Sequence, residues 1–106
     1  MSGENMSKKY LEKIRQMILD FMKDEAAKIY LFGSWARGEQ KKSSDVDIAV
    51  DYFGKYNRKK FSDLRELFEE SSIPYRVDIV DLKFSSAELL DKIKKEGIIW
   101  KDQISD

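Results

Sequence analysis

Two side chains that carry much of enzyme chemistry are missing: the 106 residues include no histidine and no cysteine. Without cysteine there is no disulfide, no thiolate nucleophile and no sulfur ligand for zinc. Without histidine the usual general base near neutral pH is gone, together with the commonest nitrogen ligand. Any metal must therefore be held by oxygen, which favours magnesium or manganese. Long apolar runs are lacking too. No stretch approaches the ~18 apolar residues of a membrane span, and the opening MSGENMSKKY has no apolar signal-peptide core. A soluble, cytoplasmic protein with no membrane partner is expected. Neither sign of charge prevails, since twenty Lys and Arg balance twenty Asp and Glu. That balance leaves no footprint for general nucleic-acid binding. With one proline and five glycines nothing reads as a linker, and the length allows one domain with a modest core. Residues 1–6 read as a loose terminus and 7–106 as a single domain.

The informative stretch is residues 29–51, IYLFGSWARGEQKKSSDVDIAVD. Its second apolar run opens with Asp45-Val46-Asp47. Strand alternation puts Asp45 and Asp47 on one face and Val46, Ile48 and Val50 on the other. Two carboxylates about 5 Å apart at an effective dielectric near 20 repel by about 3 kcal/mol. Such a pair calls for a cation between its members, unless one Asp merely caps the strand and faces water. The first apolar run ends in Gly33-Ser34. Gly33 permits close approach of a ligand to the backbone, and the free N–H groups at the start of SWARGE suit phosphate oxygens. Arg37, one helical turn on, can hold further phosphate charge. Alone, these residues would read as a capping serine and a solvated arginine. Beside the acids they supply phosphate donors next to metal ligands.

The remaining chain reads as further alternating elements. A helix over 7–24 carries an apolar stripe from Tyr10 to Met22, and a strand over 28–32 leads into the Gly-Ser turn. For Ser34 to face the Asp pair, that strand and the one over 45–52 must run antiparallel. Lys41 and Lys42 reach phosphates or a partner, or belong to a solvated loop. The segment 52–57, YFGKYN, leaves the sheet through Gly54, its aromatics packing under a loop or stacking on a base. Asp51 shares the face of Asp47 but lies about 13 Å along the strand, too far to share a metal. A helix over 61–70 precedes a third strand over 75–80, placed by the extended preference of the residue before Pro74. Asp78 interrupts the apolar series of that strand, an expensive place for a carboxylate without a cation. Asp81 competes for the role but has the opposite parity. A helix capped by Ser85 or Ser86 ends at Gly97. The tail Ile98-Ile99-Trp100 either closes the core or forms a patch for a partner helix. The fold class is α/β (α+β): a small mixed sheet flanked by helices, in the order αβαβαβα.

Gly33-Ser34, ten intervening residues and Asp45-x-Asp47 resemble the Gly-Ser-x10-Asp-x-Asp signature of the DNA polymerase β-like nucleotidyltransferases. In so short a chain the pattern is similar to the minimal nucleotidyltransferase (MNT) domains. The resemblance implies a two-magnesium site, with manganese as substitute, in which Asp45, Asp47 and Asp78 hold metal and Gly33 and Ser34 grip the phosphates, helped by Arg37. It implies ATP as substrate, nucleoside monophosphate transfer to a hydroxyl, and a small helical HEPN protein as partner. Some such domains are antitoxins that place AMP on a tyrosine of a HEPN toxin. Trp35 departs from the pattern, at a position where a polar or basic residue is expected. Two other readings stay open: transfer to a small-molecule acceptor, and a non-catalytic subunit that neutralises its partner by occlusion.

Overall fold

The computed structural model describes residues 3–41, 44–53 and 58–102. Helix α1 spans Gly3–Phe21, starting inside the stretch read as a loose terminus. Residues 4–7 hold no proline or β-branched residue to stop it, and Met1 and Ser2 lie outside the described residues. Strand β1 (Ala27–Phe32) leads through Gly33 into the single helical turn α2 (Ser34–Arg37). Strand β2 (Val46–Tyr52), helix α3 (Arg58–Glu69) and strand β3 (Val77–Asp81) follow. A 3₁₀ turn at Leu82–Phe84 then leads to α4 (Ala87–Glu96), whose first turn is capped by the Ser86 hydroxyl, an acceptor for Leu89 N–H.

The tail departs from the expected three-stranded sheet. Ile98–Lys101 forms a fourth strand, β4, antiparallel to β1. The sheet order is β3-β2-β1-β4, with β1 and β2 antiparallel, as the Gly-Ser and Asp-x-Asp placement requires, and β2 and β3 parallel. Trp100 packs against the core while Ile98 and Ile99 remain 45% and 51% exposed. Trp100 thus joins the core, as one reading of the tail expects, while the two isoleucines stay at the surface.

Strand parity divides the core into two layers. Ile29 and Leu31 of β1, Val46, Ile48 and Val50 of β2 and Ile79 of β3 pack with Ile14 and Ile18 of α1 and Phe61, Leu64 and Phe68 of α3. On the other face Tyr30 and Ala49 meet Leu82 and Ile93, with Phe32, Val80, Leu89 and Leu90 at the margin. Asp47 and Asp78 have the parity of this second face. It is covered by α4 and the 3₁₀ turn.

Candidate active site

Phe32, the last residue of β1, lies opposite Asp47 of β2. The next residue, Gly33, turns the chain with φ 77° and ψ −157°, a conformation essentially confined to glycine. A Cβ at Gly33 would run into the Asp47 carboxylate. Backbone and acid therefore lie against each other at the end of β1. Gly33 C=O accepts from Ala36 N–H at 3.1 Å and Arg37 N–H at 3.2 Å. The amides ahead of these, at the start of the turn, have no acceptor within a helix and suit an anion.

Asp45 is exposed just before β2, and Asp47 is half-buried within it. Val46 N–H donates to Arg76 C=O at 2.8 Å, pinning this end of β2 to the chain entering β3. Asp78 then pairs in register with Asp47, so the two stand on neighbouring strands about 4.8 Å apart with side chains on one face. Burial pushes the Asp47 carboxyl above its ordinary range, followed by the charges of Asp78 and Asp45, with Arg37 opposing. All four groups thus share one electrostatic neighbourhood. Asp81 is elsewhere: it caps the 3₁₀ turn, its Oδ1 accepting from Lys83 N–H at 2.9 Å. Asp51 pairs with Lys28 toward the far end of β2.

Arg37 is already engaged, its Nε donating to Glu39 at 2.9 Å and its Nη1 lying 3.9 Å from Glu96. The Glu39 hydrogen bond, countered in part by desolvation, raises the guanidinium above its ordinary value. Trp35 points the other way, into the core. Its Nε1–H donates to Ser44 C=O at 3.3 Å, and its ring meets Tyr75 edge-on at 5.1 Å. The indole therefore ties α2 to the residue just before Asp45, which explains an apolar side chain where a polar one was expected. Lys41 is exposed, with its N–H on Ser44 Oγ. Lys42 and the Gly54–Asn57 segment fall outside the described residues.

A cleft of about 360 Å³ has Gly33, Ser34, Arg37 and Asp47 on one side and Leu89, Lys92, Ile93 and Glu96 of α4 on the other. Asp78 lines a neighbouring cleft of about 420 Å³ with Arg65 and Arg76. Sequence reasoning missed Lys92 and Glu96, because they join the site only once α4 is known to lie over the end of β1. Among the described residues no three carboxylates form a closed metal cage as the side chains stand. Magnesium does not require one. It keeps several waters and binds through one or two carboxylates plus substrate phosphates, and the all-oxygen donor set fits it.

The polymerase β nucleotidyltransferase family model matches residues 12–103. The chain belongs to that family and is a nucleotidyltransferase. It is 36% identical over 95 residues to a Methanocaldococcus jannaschii protein named as a candidate protein adenylyltransferase, covering 88% of this chain and 92% of that one. It is 32% identical over 93 residues to the protein adenylyltransferase MntA of Shewanella oneidensis, covering 84% of this chain and 66% of that one. A crystal structure of a toxin–antitoxin with the ATP analogue AMP-PNP superposes with a TM-score of 0.68 at 28% identity, covering 84% of this chain and 73% of that one. No helix among the described residues is long and apolar enough to cross a membrane.

Proposed function

We propose that this chain transfers AMP from ATP to a hydroxyl of a helical HEPN-type protein, on a tyrosine, and thereby acts as an antitoxin. The observation that carries the reading is the register of Asp47 with Asp78, opposite the Gly33-Ser34 turn. Phosphate donors stand on one strand, paired acids on the next and a third acid beyond. The likeness to protein adenylyltransferases supports a protein acceptor, and the AMP-PNP complex of a similar fold supports adenine as the base.

Two magnesium ions, when bound, would neutralise charge on both sides of the reacting phosphorus and lower the pKa of the attacking hydroxyl. Asp45 and Asp47 would hold both. Asp78, on the outer strand, would hold metal beside them, and the activation that metal would give the acceptor hydroxyl removes the need for a histidine base. Gly33 N–H and Ser34 orient the β- and γ-phosphates so that pyrophosphate leaves away from Asp78. The acceptor oxygen bonds to the α-phosphorus as the bond to the bridging oxygen breaks, and its proton passes to solvent.

The test is incubation with ATP labelled on the α-phosphate, magnesium and extract of the source organism. Wild type labels a protein whose mass identifies the acceptor, and Asp47→Asn does not. Capture of a protein partner without any labelling would favour occlusion instead.

A further inference from the structure

We infer that Lys92 of α4 is a triphosphate-binding residue of this site, a cation that holds the β- and γ-phosphates from the wall facing Ser34. The inference rests on the ATP-dependent reading above and extends it to a helix that the signature does not touch.

Lys92 stands one helical turn from both Glu88 and Glu96, the spacing at which lysine and glutamate pair, yet among the described residues it is paired with neither. Here Glu96 turns to Arg37 instead, and the neighbouring Lys95 is taken by Asp91 at 3.1 Å. Among the described residues no ion pair engages Lys92, although it lines the same cleft as Gly33, Ser34 and Asp47. The cleft thus has one cation, Arg37, braced by two glutamates, and a second, Lys92, that no described ion pair holds in place. A nucleoside triphosphate carries about four negative charges, of which Arg37, shared with Glu39 and Glu96, can offset only a part. Lysine suits the complement, being a compact point charge on a flexible stem that can follow a phosphate as it moves. Buried Ile93 and half-buried Leu89 fix the orientation of α4 over the end of β1, so Lys92 is set at the rim by packing rather than by a polar contact.

The experiment is equilibrium binding of ATP, ADP and AMP, with magnesium, to the intact chain by calorimetry. Lys92→Met weakens ATP about tenfold, the scale of one charge-assisted contact, and leaves AMP unchanged. Lys92→Arg stays near wild type. Lys94→Met removes the same charge from an exposed position outside the cleft and changes nothing. An unaltered ATP affinity in Lys92→Met, or an equal loss for AMP and ATP, overturns the inference. Wild type that binds ATP but labels no protein overturns protein adenylylation and leaves Lys92 standing. Wild type that binds no nucleotide overturns both.

Discussion

Asp47 and Asp78 occupy matched positions on adjacent parallel strands, both on the face of the sheet covered by α4 and the 3₁₀ turn. Burial alone would raise Asp47, and Asp78 and Asp45 raise it further. Arg37 opposes this but spends its hydrogen bond on Glu39. Like charges gathered about a half-buried acid are a conflict of the kind that marks functional positions.

Removing that conflict has a measurable consequence. A carboxylate whose folded-state pKa is raised binds its proton more readily in the native state. Its contribution to stability is present at low pH and is lost as pH rises through the folded value. Asp47→Asn, melted without divalent metal at pH 7, is therefore more stable than wild type. The gain is read as a raised melting temperature. The difference shrinks as pH falls through the carboxylate range. The same variant loses nucleotidyl transfer by on the order of a hundredfold or more. Melting curves across pH read the first effect and α-phosphate labelling the second.

Gly33→Ala tests the close approach. The substitution must adopt φ 77° and ψ −157°, and its Cβ meets the Asp47 carboxylate. The backbone strain is about 1–3 kcal/mol, read as a lowered urea midpoint with unchanged slope. Gly38 makes the control. It also has a positive φ, but a Cβ there meets nothing within 4 Å. Gly38→Ala should therefore lose stability through backbone strain alone and keep its transfer activity, whereas Gly33→Ala loses both.

How much of this was legible depends on whether the signal was local. The antiparallel pairing of β1 with β2 follows from the need for Ser34 to face the Asp pair, and Asp78 stands out by interrupting an apolar series, its place beside Asp47 being what the family resemblance implies. β4 was not legible: four residues with two exposed isoleucines have no pattern, and they become a strand only because β1 offers an open edge. The direction of Trp35 was hidden for a related reason. A one-turn helix is too short to show periodicity, and its hydrogen-bond partner, Ser44, lies across a loop. Arg37 was readable as a cation but not as one engaged by Glu96, which comes from the far end of the chain.

Trp35→Phe separates packing from tethering. The ring that meets Tyr75 is largely kept, while the hydrogen bond to Ser44 C=O is lost. The expected loss of stability is about 1–2 kcal/mol. Because Ser44 directly precedes Asp45, the variant should also need several-fold more magnesium for half-maximal transfer at saturating ATP. A magnesium titration of labelling rate, run beside a urea melt, checks both. A stability loss with an unchanged magnesium requirement would make Trp35 a core residue and nothing more.

The last prediction sets the two acids of β3 against each other. Asp78 shares the face of Asp47 and is exposed, whereas Asp81 pairs in register with Val50 and caps the following turn through Lys83 N–H. Asp78→Asn leaves the fold intact, since its side chain is exposed and tied into no core contact, but lowers transfer by on the order of a hundredfold. Asp81→Ala does the reverse. Loss of the cap lowers stability by about 1 kcal/mol, while transfer at a temperature well below the melt stays near wild type. Measuring both quantities for both variants matters, because an unstable protein also labels poorly. Equal activity losses at matched folded fractions would place Asp81 in the chemistry and undo the assignment of the third acid.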